Sequence, residues 1–189
     1  MIKNRINLKK VALIICLITL AVGWRIINHN FQFAPNLELV TVVSVLAAII
    51  FGWRIAIIVP IVTMIISDII IGNSSIFIFT WGTFAIIGLS AVILKKLNEK
   101  PKMQILSSGG FAAASTFLFF IVTNFGVWLQ GWYPATLAGL IDSYVMAIPF
   151  YRTMLIGNLI LVPTSIIIWQ LVKSRQSSKS LVVNPLVRK

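Results

Sequence analysis

This chain of 189 residues contains four acidic residues, one histidine and one cysteine, so it is poor in the side chains that usually perform catalysis or bind metals. A single cysteine, Cys16, excludes a disulfide within the chain. The single histidine, His29, has no second histidine or cysteine near it, which argues against a metal site. The sequence also lacks a nucleotide-binding loop, a G-x-S-x-G turn and an H-E-x-x-H motif. We therefore expect no enzyme, no cofactor and no bound metal.

Apolar side chains dominate what is present. Hydrophobic residues make up 59% of the chain and charged residues 11%, and the mean hydropathy is +0.99. This exceeds what a soluble core requires and predicts an integral membrane protein. The net charge of +12 could indicate a nucleic-acid partner. The cations flank apolar runs and form no continuous stripe, however, so anionic lipid headgroups explain them better. We expect a lipid bilayer as partner and no nucleic acid.

The positions of the cations predict the orientation of the chain. Fourteen of the sixteen Lys and Arg residues fall in short stretches that would all lie on one side of a membrane. These are Lys3, Arg5, Lys9, Lys10, Arg54, Lys95, Lys96, Lys100, Lys102, Lys173, Arg175, Lys179, Arg188 and Lys189. Only Arg25 and Arg152 fall on the other side. Cytoplasmic segments of membrane proteins carry such an excess, so both termini are expected in the cytoplasm.

Six apolar runs are candidates for crossing the bilayer. A crossing helix needs about 20 mainly apolar residues. The run from Leu39 to Ile71 is too long for one crossing, so we place a turn at 52–54. The predicted spans are residues 11–27, 38–52, 54–71, 76–94, 105–129 and 153–172. We expect one all-α transmembrane domain over residues 1–172, a six-helix bundle whose first span is retained and not cleaved as a signal peptide.

The stretch Leu137–Phe150 is apolar but short, carries Asp142 and ends near Pro149. A seventh span here would place the five cations of the tail outside and break the charge bias. We therefore expect residues 130–151 to form an outer segment, partly helical, that folds back over the bundle. Residues 173–189 are expected to be a basic, disordered cytoplasmic tail.

Three of the four acids and both remaining arginines lie at the outer ends of the predicted spans. Ionisable groups near membrane depth are costly unless they are paired or face water, so they mark candidate sites. Asp68 is expected to pair with Arg25 or Arg152, either as a structural ion pair or within a ligand site. The candidate substrate-binding residues are Arg25, His29, Asn30, Glu38, Asp68, Asn124, Trp128, Tyr133, Asp142 and Arg152. We predict a shared outward pocket; the alternative is polar and aromatic side chains scattered along the interface.

Five distinctive segments lie between Arg25 and Leu161. They are Arg25 with His29-Asn30-Phe31 and Ala34-Pro35-Asn36-x-Glu38, then Pro60 with Ser67-Asp68, Thr123-Asn124-Phe125-Gly126-Val127-Trp128, Tyr133-Pro134-x-Thr136-Leu137-Ala138-Gly139-Leu140, and Ala147-Ile148-Pro149-Phe150. Together they resemble a group of small bacterial membrane proteins of unassigned function. That group is usually placed with the substrate-binding S components of energy-coupling factor (ECF) transporters. The sequence departs from the expected pattern at Asn158, where an acid is expected.

The resemblance implies a function. S components have six helices and no nucleotide-binding motif of their own. Such a protein would sit in the bacterial cell membrane and capture a vitamin-like micronutrient from outside. It would then dock on a coupling subunit driven by two cytoplasmic ATPases. Ala12 and Cys16 resemble the short alanine motif through which S components meet that subunit, with cysteine in place of the second alanine.

Two other functions fit the same composition. One is a stand-alone secondary transporter or facilitator, in which Asp68 or Asp142 couples proton movement. The sequence shows neither the inverted halves nor the paired broken helices of many such transporters. The other is a membrane scaffold that transports nothing. Dependence on an ECF coupling subunit would separate the S component from both alternatives.

Overall fold

The fold is described here from a computed structural model, for residues 8–72, 74–97 and 100–183, with side chains to residue 176. These residues form seven helices, and none of them lies in a β-strand, which confirms the all-α prediction. The helices are α1 (Leu8–Phe31), α2 (Val40–Phe51), α3 (Trp53–Ile71), α4 (Phe77–Ser90), α5 (Val92–Lys95), α6 (Pro101–Leu129) and α7 (Leu137–Val183). The single turn of α5 continues α4 after Ala91.

Five helical stretches are long and apolar enough to cross a membrane, which fits a multi-pass membrane protein. They are Leu8–Phe31, Trp53–Ile71, Phe77–Lys95, Pro101–Leu129 and Leu137–Gln176. The remaining helix, α2, has 12 residues and is about 18 Å long. This is shorter than the roughly 30 Å hydrocarbon core, so the predicted span 38–52 forms a helix that does not cross by itself.

The short α2 lies at the centre of the bundle. Val40, Ser44, Val45, Ala47 and Ala48 are all fully buried. The surrounding helices cover α2, and the last residues before it, 37–39, are half-buried. Non-helical backbone at membrane depth is tolerated where protein or a polar cavity surrounds it. The chain before α2 is therefore a place where a site can be built inside the bundle.

The bundle has two ends of different chemistry. At one end, which we call the basic end, lie the turn at Gly52, the end of α5 and the start of α6, with the cations Arg54, Lys95, Lys96 and Lys100. The Gln170 side chain of α7 reaches this end, where its Nε2 donates to Gln104 Oε1 at 2.9 Å and to Pro101 O at 3.2 Å. At the other end, which we call the cavity end, the end of α1 meets the end of α3. The S-component fold and the cytoplasmic placement of the termini stay predictions.

A proline and a glycine bring α3 and α4 into close contact. Pro60 has no N–H, so it leaves the carbonyl oxygen of Ala56, one turn earlier, without its helical donor. The backbone of Gly88 lies directly over that oxygen, and any Cβ at Gly88 would collide with it. The contact therefore requires glycine at position 88, and a Cα–H donor of Gly88 covers the unpaired carbonyl.

The last helix differs from the prediction. α7 runs for 47 residues without a break, about 70 Å, so residues 137–150 do not fold back over the bundle. The Thr136 hydroxyl accepts a hydrogen bond from Gly139 N and starts the helix. Pro149 lies within it, as prolines do in membrane helices whose neighbours supply packing. α7 lies along α6, with Tyr144 Oη donating to Ile121 O at 2.9 Å.

The same helix continues through residues 173–183, which were expected to be disordered. Gln170 lies beside the start of α6, so the following residues of α7 extend past the basic end. The rest of the predicted tail, residues 184–189, lies outside the described residues, as do the first cations of the chain.

Candidate functional site

A cavity of about 600 Å³ opens between the helices at the cavity end. Met64, Phe84 and Met154 line its inner part and also pack with Val40, the first residue of α2. The cavity therefore lies next to the first turn of α2. The end of α1, the chain before α2, and parts of α3, α4, α6 and α7 supply its walls. A volume of this size suits a small organic molecule.

An ionic cluster of Arg25 of α1, Glu38 before α2 and Asp68 of α3 forms one part of the lining. Arg25 Nη2 lies 2.8 Å from Asp68 Oδ1, and Arg25 Nη1 lies 3.0 Å from Glu38 Oε1. Arg25 Nε also donates to Ser67 Oγ at 2.8 Å. The side chains of Arg25, Glu38 and Asp68 are 11%, 17% and 9% exposed, so they are largely withdrawn from solvent. Such pairs in a low dielectric interact strongly only when their geometry and hydrogen bonds are good.

The two carboxylates of the cluster are not equivalent. Both oxygens of Asp68 are paired, because Trp81 Nε1 donates to Oδ2 at 2.8 Å. Glu38 Oε1 is paired with Arg25, whereas Glu38 Oε2 is buried and has no hydrogen-bond partner among the described residues. Glu38 precedes α2, outside the helices. Glu38 is therefore the carboxylate of the cluster with unused hydrogen-bonding capacity.

Side chains of α1 hold Glu38 in place by fixing the chain before it. Trp24 Nε1 donates to Leu37 O at 2.6 Å, and Asn28 Nδ2 donates to Ala34 O at 2.8 Å. Asn28 Oδ1 accepts from Ala34 N at 3.1 Å, so the asparagine side chain bridges both backbone groups of that residue. Backbone groups at membrane depth need such partners. The position of Glu38 therefore depends on Trp24 and Asn28, which lie one turn apart in the last part of α1.

Another part of the lining is aromatic. Phe119 and Phe120 of α6, with Phe150 and Tyr151 of α7, form this part. The Phe120 and Tyr151 ring centroids lie 4.8 Å apart, and Phe119 packs at the same distance on Phe84. Contacts at 4.5–7 Å are typical of favourable tilted aromatic pairs. The cavity thus has one charged wall and one wall of ring faces.

A protein-family model matches residues 5–181 of the chain, and its description is a family of unknown function, DUF6580. The chain belongs to the DUF6580 family. No curated protein and no solved structure matches it. Membership confirms the predicted place in a family of unassigned function, and the likeness to ECF S components stays a prediction.

Half of the predicted site residues line the cavity of this DUF6580 protein. They are Arg25, His29, Glu38, Asp68 and Asn124. The predicted partner of Asp68 is resolved as Arg25. Asn124 lies on the α6 side of the cavity, and its Nδ2 donates to Phe120 O at 2.7 Å, one turn earlier in the helix. These five residues bring charge and hydrogen-bonding groups to one space, as the prediction of a shared pocket requires.

The other five residues are not among those that line the cavity. Asn30 is exposed near the end of α1, and Asp142 and Arg152 are exposed on α7. The expectation that Arg152 joins Asp68 in one cavity is therefore wrong. Arg152 stands about 200° around the helix from Met154, and Met154 is 2% exposed in the core. The burial of Met154 turns Arg152 outward.

Two predicted aromatic residues belong to the connection between α6 and α7. Trp128 Nε1 donates to Pro134 O at 3.0 Å, and Tyr133 precedes that proline. Gly139 packs on the same carbonyl, where a Cβ would collide with Pro134 O. The distinctive segments around Trp128 and Gly139 therefore include residues that shape this connection, and not only residues that line the cavity.

Sequence reasoning missed two side chains that complete the ionic cluster, Trp81 and Ser67. A signal for Trp81 was available. Asp68 lies three residues before the end of α3, and Trp81 lies four residues after the start of α4. Consecutive antiparallel helices place such positions at similar depth, so an indole N–H could reach the acid. Ser67 precedes Asp68 and directs its Oγ toward Arg25.

Two further predictions concern partners and metals. Ala12 and Cys16 are exposed on α1, as a contact surface for another helix requires. Among the described residues there is no group of three or more His, Cys, Asp and Glu side chains that could hold a metal ion.

Proposed function

We propose that this DUF6580 protein is a membrane-embedded binding component that captures a small molecule in the cavity. The observation that carries the proposal is the partly unsatisfied ionic cluster on the wall of a space of about 600 Å³. A structural ion pair alone needs no cavity, and a lipid-filled gap between helices would not be lined by charged groups. Pockets with a few converging polar groups and an apolar remainder are the usual form of small-molecule sites.

The partner of this component is proposed to be an ECF-type module with a coupling subunit and two cytoplasmic ATPases. The absence of a nucleotide-binding motif from the sequence supports a partner that supplies the energy. The exposure of Ala12 and Cys16 supports α1 as the contact, because close helix packing in lipid depends on small side chains. The proposed micronutrient site then faces outward and the basic end faces the cytoplasm of a bacterial cell. Impermeant labelling of single cysteines at Lys100 and Tyr133 tests this orientation; labelling of Lys100→Cys in intact cells would refute it.

The partner is tested by enlarging one side chain on the proposed contact face. Ala12→Trp should abolish uptake of the ligand into cells and leave ligand binding by the purified protein unchanged. The matched control is Ala114→Trp, which enlarges an exposed alanine on α6 and should leave uptake intact. Equal uptake by Ala12→Trp and Ala114→Trp would remove α1 as the contact.

The second candidate function is secondary transport coupled to protons. The buried, half-paired Glu38 favours it, because such a carboxylate can exchange a proton. Asp142, on the exposed face of α7, gives it no support. Uptake that persists in cells lacking every ECF coupling subunit would favour this candidate and reject the ECF module. A scaffold that transports nothing would show neither uptake nor a bound small molecule.

A further inference from the structure

We infer that the cavity takes an organic monocation, an ammonium or protonated nitrogen base joined to an apolar or planar body. The inference rests on the proposed function and deepens it by naming the class of ligand. Its first basis is the charge on the cavity wall. Glu38 and Asp68 face a single guanidinium, that of Arg25, so the ionised cluster carries one excess negative charge. An uncompensated charge in a low-dielectric site is expensive, and a bound cation compensates it.

The hydrogen bonds and charge balance of Arg25 disfavour an anionic ligand. Its Nε, Nη1 and Nη2 atoms already donate to Ser67, Glu38 and Asp68. A carboxylate or phosphate needs donors in a forked arrangement, which free guanidinium groups supply. The bonds to Ser67, Glu38 and Asp68 use three of the five N–H groups of Arg25, and an anion bound to the other two would place three negative charges around one positive charge.

The helix ends do not reverse this balance. α2 begins beside Glu38, and its N-terminus contributes about half a positive charge. α1 and α3 end near the same place, and each C-terminus contributes about half a negative charge. The sign of the site is therefore set by the side chains. His29 lines the cavity as well, and adds no negative charge in either of its protonation states.

Glu38 is the carboxylate whose hydrogen-bonding capacity is left over for the cation. Oε2 is buried and lacks a donor among the described residues, and an ammonium N–H is a donor that carries the missing charge. Rotation of the carboxylate about its last bond would bring an unpaired oxygen to the cavity without moving the backbone.

The aromatic side chains of the cavity favour a ligand whose cation is joined to an apolar or planar body. Ring faces attract cations within about 6 Å and also cover apolar surface. Phe119, Phe120, Phe150 and Tyr151 supply aromatic rings to the same cavity as the cluster. A bare metal ion would leave most of a cavity of about 600 Å³ unfilled, and the carboxylates of the cluster are already bridged by Arg25. A nitrogen base with an organic body matches both walls.

Ring-matched triplets of different charge test the inference on the purified full chain in detergent. The triplets are benzylammonium, benzyl alcohol and benzoate, with the corresponding naphthyl compounds, at fixed pH and salt. Thermal stabilisation and calorimetry should show binding of the ammonium members at least about tenfold tighter than that of the alcohols. The carboxylates should not bind. Glu38→Gln should abolish the preference for cations, whereas Asp142→Asn removes an exposed carboxylate on α7 and should preserve it.

The outcomes separate the inference from the proposed function. Tightest binding of the carboxylates or alcohols would overturn the monocation and leave ligand capture intact. A panel in which no compound of any charge binds would contradict both. Cation preference that is equal in Glu38→Gln and the wild type would place the cation elsewhere, and so would overturn the assigned site. If Glu38→Gln does not fold, the order of affinities within the wild-type triplets decides.

Discussion

At the basic end, small side chains bring the helices together, whereas at the cavity end large aromatic and charged side chains keep them apart. Ala48, Ala56, Ala91 and Ala112 belong to one fully buried cluster that also contains Val162. No comparable set of alanines lines the cavity, where phenylalanine rings face an arginine. Close packing gains its energy from many small dispersion contacts. Fewer such contacts form at the cavity end, and a binding site requires the space that this leaves.

The length of α2 explains the depth at which close packing gives way to the cavity. A helix of about 18 Å leaves about 12 Å of a 30 Å hydrocarbon core without a central helix. The chain before α2 enters this space with Leu37 and Glu38. Leu37 packs on Gly157 of α7, where a Cβ would collide with it. Since the bundle keeps its outer helices but shortens its central one, the cavity is a consequence of helix length and not of loose packing.

Removing the guanidinium of the cluster should have the largest effect on stability. Arg25→Gln leaves two buried carboxylates close together and should lower the free energy of unfolding by about 3–5 kcal/mol. Arg152→Gln removes an exposed arginine on α7 and should change it by less than about 0.5 kcal/mol. Unfolding in detergent, followed by circular dichroism, measures both. Equal effects of the two variants would mean that the cluster is solvated and that the ends do not differ as described.

A smaller effect is expected where α3 and α4 touch. Gly88→Ala forces the Cβ against Ala56 O and should cost about 1–3 kcal/mol through strain and helix separation. Gly82, in the same helix, has nothing within 4 Å of a Cβ. Gly82→Ala should therefore be neutral or stabilise by up to about 1 kcal/mol through helix propensity. Destabilisation of the same size in both variants would show that the close contact is not specific to position 88.

Hydrophobic run lengths were enough to predict most helices and the end at which each polar residue lies. Arg25 and Asp68 were correctly predicted to lie at the same end, because the number of crossings before each residue determines the end at which it lies. The rotation of a helix about its own axis was not predictable in the same way. Arg25 and Arg152 were equivalent partners for Asp68 in sequence, and only the burial of Met154 shows that α7 turns Arg152 outward.

The continuity of α7 was also not predictable from the local sequence. The sequence predicts an outer segment over residues 130–151, because a seventh span would place the cations of the tail outside and because Asp142 and Pro149 interrupt the apolar run. Asp142 is exposed on α7 and so does not have to be buried. The contacts of Tyr144 and Tyr151 with Phe120 hold this part of α7 against α6. These contacts depend on tertiary packing, which the local sequence does not contain. The prediction of disorder for residues 173–183, which rests on their polar composition, is wrong for the other end of the same helix.

Native mass spectrometry of gently extracted protein tests most directly whether the cavity is a ligand site. Ala147 lines the cavity, and Ala147→Trp should fill it. Ile148→Trp enlarges the next side chain, which is 44% exposed on the outside of the bundle. The account predicts that the wild type and Ile148→Trp retain the same small organic molecule and that Ala147→Trp has lost it. A wild type without any retained molecule, or the same molecule on all three proteins, would contradict the account.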